Sequence, residues 1–206
     1  MKFADQGLEI KGPKAKIARA ISRLTPAPLF NLYVGIIFIS TSPIGIGPIL
    51  SPVFAFAICV IFMVILPITP IVIEAWRGNV DLDVSEQSMR GKFFLYAIGF
   101  YVISLIIYYF AQCTIMFWLS AAYITVTSGI MISTYWSKVS VHAAGVGGPS
   151  TALLIIYGVF AWPVIIVWAL VVWSRVFLHQ HTLRQAVAGL TLAIMITLGT
   201  YAVLLF

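Results

Sequence analysis

Charge is what this chain has least of. Asp, Glu, Lys and Arg make up 9% of its 206 residues, and four stretches hold none of them: Leu24 to Ile73, Phe93 to Ser137, Val139 to Ser174 and Gln185 to Phe206, of 50, 45, 36 and 22 residues. With 62% hydrophobic residues and a mean hydropathy of +1.07, too little polar surface is left to cover a soluble domain of this size, and that class is excluded. The apolar–polar alternation of strands is missing as well, which leaves helices to satisfy the backbone in lipid. Cysteine is scarce: Cys59 and Cys113 fall inside apolar segments with no motif around them and read as packing residues. Internal repeats and low-complexity tracts are absent. So is the continuous apolar core of a cleavable signal peptide between Met1 and Arg23.

What is there is a periodic return of charge. A membrane helix needs about 20 apolar residues, so the first three uncharged stretches fit helical hairpins and the last fits a single crossing. The expected fold is all-α, a polytopic transmembrane bundle of about seven helices, with six as the alternative. Residues 26–206 form one domain in this reading, behind a basic interfacial segment at 1–25. The run Ser42 to Pro52 (SPIGIGPILSP) reads as the turn of the first hairpin. Gln112 and the pair Trp162-Pro163 mark the turns of the second and third.

Six of the twelve basic residues (Lys2, Lys11, Lys14, Lys16, Arg19, Arg23) lie in the N-terminal segment, against Asp5 and Glu9. A basic amphipathic segment of this kind obeys the positive-inside rule and is drawn to lipid headgroups.

Hairpins that leave one membrane surface and return to it bring the remaining charges together. Three polar clusters result: Glu74 to Lys92, Tyr135 to Pro149 and Ser174 to Gln185. They contain all three histidines with four arginines and two lysines. One Arg or Lys at a helix end is ordinarily an interfacial anchor. Several of them converging with histidine point to a site.

The third cluster reads Ser174-Arg175, five residues, His181, three residues, Gln185, and so resembles the SR-x5-H-x3-D signature of the type 2 phosphatidic acid phosphatases. The second contains Ser140-Val141-His142, similar to the last part of that superfamily's PSGH motif, with Val139 and Val141 in place of its proline and glycine. The first ends in Arg90-Gly91, where K-x6-R-P would put Asp83, Arg90 and Gly91; only the arginine matches. The resemblance runs from about Asp81 to the C-terminus. It implies hydrolysis of a phosphate ester through a phosphohistidine, with His181 as nucleophile and His142 as leaving-group acid, and it implies no metal and no other cofactor.

Phosphoryl transfer needs positioning and cationic stabilisation above all. Guanidinium groups are the best bidentate partners for its oxygens, so Arg90 and Arg175 are the expected phosphate ligands, with Lys138 as a further charge and Ser140 as a hydroxyl or backbone donor. Neighbouring cations also favour a neutral imidazole. Gln185 is expected on the same helical face as His181, where its oxygen orients the ring without the charge an aspartate would bring. Gly145, Gly147 and Gly148 read as close-packing positions rather than a phosphate cradle. His179 reads as interfacial, and Asp81, Asp83 and Glu86 as partners of nearby cations.

A site at helix ends admits a lipid sideways, so the expected substrate is a lipid phosphate or polyprenyl diphosphate, the expected surroundings are membrane lipids, and no nucleic acid is involved. The residues specify neither the particular lipid nor an oligomeric state. A multi-pass protein of the cell membrane with its site on the cytoplasmic side and its C-terminus outside is expected. The competing classes are a catalytically inactive lipid-binding relative, a small transporter, and a haem protein using His142 with His179 or His181. Charges or broken helices at mid-membrane would favour the transporter, and visible absorbance the haem protein.

Overall fold

Helix-breaking residues fix where each apolar segment turns. A computed structural model describes residues 10–205 of the chain; Lys2, Asp5 and Glu9 lie outside the described residues. Among these the structure is all-helical, with no strand. Helix α1 (Pro13–Leu24) is followed across Thr25-Pro26 by α2 (Ala27–Thr41), bent from it by 63°. Proline at the start of both helices supplies a preset φ where the missing N–H is harmless. The predicted first turn separates α2 from α3 (Pro52–Ile58), which runs through a π-helical stretch, Cys59–Ile65, into α4 (Leu66–Trp76). Next come α5 (Arg90–Phe110) and α6 (Thr114–Thr134), reversed at Gln112 with a φ of 55°. The last three are α7 (Val141–Tyr157), α8 (Val164–Phe177) and α9 (Leu183–Leu205), and α7 and α8 are separated at Gly158 to Pro163.

Each of the seven expected helices is therefore present. Five continuous helical segments are long and apolar enough to cross a membrane: Pro52–Trp76, Gln87–Phe110, Thr114–Thr134, Val141–Ala161 and Leu183–Leu205. The number rises to six if the bent pair α1 and α2 counts as one span. The other two of the seven, α2 and α8, have 15 and 14 residues, and at 1.5 Å per residue they fall short of a hydrocarbon layer about 30 Å thick. Pro26 with Ser42, and Pro163 with the polar turn after Phe177, cut them at both ends. Large apolar side chains face outward along the long helices, among them Phe54, Leu95, Ile106 and Val203. Trp76, Tyr135 and Trp136 are exposed at the charged end and Tyr109, Phe160 and Trp162 at the other, as the aromatic girdles of a membrane protein are. The chain is an integral membrane protein.

Helix α7 packs against α2, α6, α8 and α9. Its glycines make that possible. A Cβ on Gly147 would come within 2.8 Å of Leu190 on α9, and one on Gly145 would run into Ala27 of α2. They pack helices, as the sequence reading has it. A second accommodation lies at Pro67, which brings no N–H to the turn before it. The Met63 carbonyl, four residues earlier, accepts instead from Asn31 Nδ2 at 2.7 Å. Helix α1 rests on α8 through the buried Ala15 and Ala18, with Lys14, Lys16 and Arg23 exposed.

Candidate functional site

The three polar clusters meet at one end of the bundle because each follows from a helix terminus there. Arg175 stands in the last turn of α8, where the helix dipole favours a cation. Its carbonyl accepts from the N–H groups of Gln180 at 3.0 Å and His181 at 3.3 Å. That tight turn, helped by His179 at a φ of 55°, fixes the spacing from Arg175 to His181 seen in the sequence. Helix α9 begins at once. Thr182 accepts from the Gln185 N–H at 3.3 Å while the Gln185 side-chain oxygen accepts from the Thr182 N–H at 3.0 Å, a reciprocal capping box.

The start of α7 is joined to this turn. The Ser140 N–H donates to the Gln185 carbonyl at 3.2 Å, and the Ser140 hydroxyl caps α7 by accepting from Ala143 N–H at 3.3 Å. A side chain on Gly189 would lie 2.5 Å from the Ser140 carbonyl oxygen, so glycine there lets α9 touch the α7 terminus. His142, in the first turn of α7, is thereby brought beside His181. Arg90, the first residue of α5 and only 4% exposed, donates through Nε to the Val84 carbonyl at 2.8 Å and through Nη1 to the Val139 carbonyl at 3.3 Å. One guanidinium ties the α4–α5 loop to the α6–α7 loop.

Between these pieces lies a hollow of about 260 Å³ lined by Asp83, Ser85, Arg90, Lys138, Val141, His142, Arg175, Gln180 and His181. Five of the seven expected site residues line it: Arg90, Lys138, His142, Arg175 and His181. Ser140 and Gln185 stand just behind, in the capping roles described. Nη1 of Arg175 also donates to Ser22 of α1 at 2.7 Å, so the N-terminal helix reaches the same group. His179 is exposed and lies outside the lining. Glu86 accepts from Ser88 at 2.6 Å.

Electrostatics favour an uncharged His181. Burial and then the positive charges of Arg175, Arg90 and Lys138 push its pKa from the ordinary 6.5 down to about 4, opposed weakly by Gln185. Gln185 thus lies close enough to influence the ring, yet its oxygen is taken by Thr182, and His181 Nδ1 is buried with no hydrogen-bond partner among the described residues. Among the described residues no hydrogen bond of ordinary length joins the amide to the ring.

Asp83 is the charged member of the hollow that the sequence did not assign to it; Ser85, Val141 and Gln180 are the uncharged ones. Oδ1 of Asp83 is 3.6 Å from His142 Nε2 and 3.8 Å from Arg175 Nη1, within ion-pair range but too long for hydrogen bonds. The signal was present, since the K-x6-R-P comparison sets Asp83 where a lysine belongs beside the phosphate.

A second space, of about 860 Å³ with the open solvent at its mouth included, begins at the same place. Asp83, Arg90, Val141 and His142 line both spaces. The rest of its wall is apolar and comes mainly from α2, α4 and α5, including Pro67, Ile71, Phe94 and Tyr101. From Arg90 to Tyr101 it follows α5 for about 16 Å. Comparison with known proteins returned no matching family model, no matching curated protein and no matching solved structure.

Proposed function

We propose that this protein is a membrane lipid phosphatase that hydrolyses a lipid or polyprenyl phosphate through a phosphohistidine. The observation that carries the reading is the junction of two unlike spaces: a hollow with two imidazoles and three cations, and an apolar cavity that begins at Asp83, Arg90 and His142. The first supplies the charges that draw a phosphate headgroup and the second an apolar wall for a hydrocarbon tail. The motif resemblance supports the same chemistry.

In the proposed cycle, neutral His181 attacks phosphorus, forming an N–P bond as the bond to the lipid oxygen breaks. His142 gives its proton to that departing oxygen. Arg90, Arg175 and Lys138 hold the three equatorial oxygens, whose charge is greatest in the transition state. His142 then takes a proton from water as the water oxygen attacks phosphorus, and the N–P bond breaks to release inorganic phosphate and restore His181. Burial of the site at helix ends keeps bulk water away until the lipid alcohol has left.

The site faces the cytoplasm in this proposal, within the cell membrane. Helix α1 and the hollow share one end of the bundle through the Ser22–Arg175 bond, and the basic N-terminal segment belongs inside by the positive-inside rule. Helix α9 runs away from that end, so a tag at the C-terminus should label only from outside, and labelling from the cytoplasm would overturn the orientation. A non-hydrolysing lipid-phosphate binder is the second reading, favoured by the commitment of Gln185 to Thr182. Phosphate release from a panel of lipid monophosphates and diphosphates in mixed micelles separates them. Turnover that disappears in His181→Ala is expected, and no turnover on any member of the panel would sink the enzyme.

A further inference from the structure

A carboxylate stands where an anion would bind. Asp83 Oδ1 lies before His142 Nε2 at 3.6 Å and Arg175 Nη1 at 3.8 Å, two of the donors a phosphoryl oxygen would meet. Its place is built by the loop around it. The Asp81 carboxylate accepts from the N–H of Asp83 at 2.8 Å and of Ser85 at 3.1 Å, and Arg90 grips the Val84 carbonyl at 2.8 Å. Val84 between them has a φ of 46°, a left-handed conformation that a β-branched residue adopts only when its surroundings impose it. The Asp83 side chain is 10% exposed. Among the side chains that line the hollow, three fixed cations, Arg90, Lys138 and Arg175, are offset by this one carboxylate.

The geometry points to Asp83 as the residue that selects the phosphate ligand, an internal competitor that fits the hollow to a single phosphomonoester group and against a diphosphate. This rests on the reading of the hollow as a phosphate site. A phosphomonoester carries about −1.5 to −2 at neutral pH, which the remaining two positive charges balance. A diphosphate brings further negative charge into the same confined space, and part of it must approach Asp83. Like charges about 4 Å apart repel appreciably even at the dielectric of water. The same repulsion loosens the hold on inorganic phosphate, the product, and speeds its departure. Asp83 also stands 3.6 Å from Nε2 of His142, the proposed proton donor, so its removal bears on that ring as well, and binding is the readout that isolates its charge.

The test is equilibrium binding of inorganic phosphate and of pyrophosphate to the full chain in detergent, by calorimetry, for the natural protein, Asp83→Asn and Glu86→Gln. Glu86 is exposed on the same loop outside the hollow, so its variant removes an equal charge at a distance. Asp83→Asn should bind phosphate at least about fivefold more tightly and should gain more for pyrophosphate, while Glu86→Gln stays within about twofold. Unchanged or weaker phosphate binding in Asp83→Asn overturns the proposal, as does no binding by any of the three. Equal gains for both ligands overturn the selectivity. If Asp83→Asn fails to fold, as judged by its melting in detergent, Asp83→Ser must show the gain instead. Tightened binding in a protein that hydrolyses no lipid phosphate would leave this inference standing and remove the phosphatase. Hydrolysis without tightening would do the reverse.

Discussion

His142 and His181 share one hollow and the guanidiniums of Arg90 and Arg175, and they differ in what else stands near them. His142 stands at the start of α7 with a carboxylate in front of it, Asp83, at 3.6 Å. His181 sits in the turn before α9 with three cations around it, a neutral amide beside it, and a buried ring nitrogen that finds no partner among the described residues. Arg90 and Arg175 stand by both rings, so the division of labour proposed for the two rests on the motif resemblance, with the carboxylate before His142 in its support.

The sharpest way to break the comparison is to remove each ring in turn. His181→Ala should lower kcat by more than about 10⁴-fold, as loss of a nucleophile does, on every substrate. His142→Ala should cost about 10²- to 10⁴-fold, the range of general acid catalysis. That loss should largely vanish with a nitrophenyl phosphate, whose leaving group needs no proton. Equal losses from the two variants on both substrates would erase the distinction.

Acidity probes the same difference. The unfolded chain holds the His181 proton below about 6.5 and the folded one only below about 4. Between those values the unfolded state binds more protons, so acidification through that window withdraws stability and neutral pH restores it. The melting temperature in detergent should therefore fall between pH 7 and pH 5, and less so in His181→Gln. The acid limb of kcat/KM should lie nearer pH 4 than pH 6.5.

Smallest is the effect of giving His181 the carboxylate it lacks. Gln185→Glu keeps the capping box, for which glutamate is equally suited, and sets a negative charge beside the ring. On the proposed chemistry it should raise kcat severalfold and shift the acid limb upward. Gln185→Ala should lower activity and also remove about 1 kcal/mol from the start of α9, visible as earlier melting. No change in activity from either variant would show that Gln185 serves only the helix.

The fold was legible where charge and helix breakers are sparse and unambiguous. The turns at Ser42 to Pro52, Gln112 and Trp162-Pro163 lie where the sequence puts them, the first and third because glycine and proline leave the backbone few alternatives and the second at a polar glutamine within an apolar run. The short reach of α2 and α8 was harder to read, since charge-free length counts loop residues together with helix. Within the site, Arg90, Lys138, His142, Arg175 and His181 were legible from spacing to helix ends. Ser140 was named as a donor to substrate and Gln185 as the residue that orients His181, and the structure shows both capping helices. Local hydrogen bonds at a terminus compete for the same hydroxyl and amide groups, and spacing alone does not reveal which partner wins. Asp83, which the K-x6-R-P comparison singles out by position, enters the hollow through the left-handed backbone of Val84, a feature the motif does not announce.

The bond from Asn31 to the Met63 carbonyl makes two distant positions interdependent. Pro67 deprives that oxygen of a helical donor, and a side chain 32 residues away supplies one. Leucine at 31 leaves the oxygen bare in hydrocarbon, at a cost of about 1–3 kcal/mol, whereas alanine at 67 restores an N–H to the helix and makes the amide dispensable. The two replacements should be harmful singly in one order of introduction and tolerated in the other. A lineage drifting through sequence space can surrender the asparagine only after it has surrendered the proline.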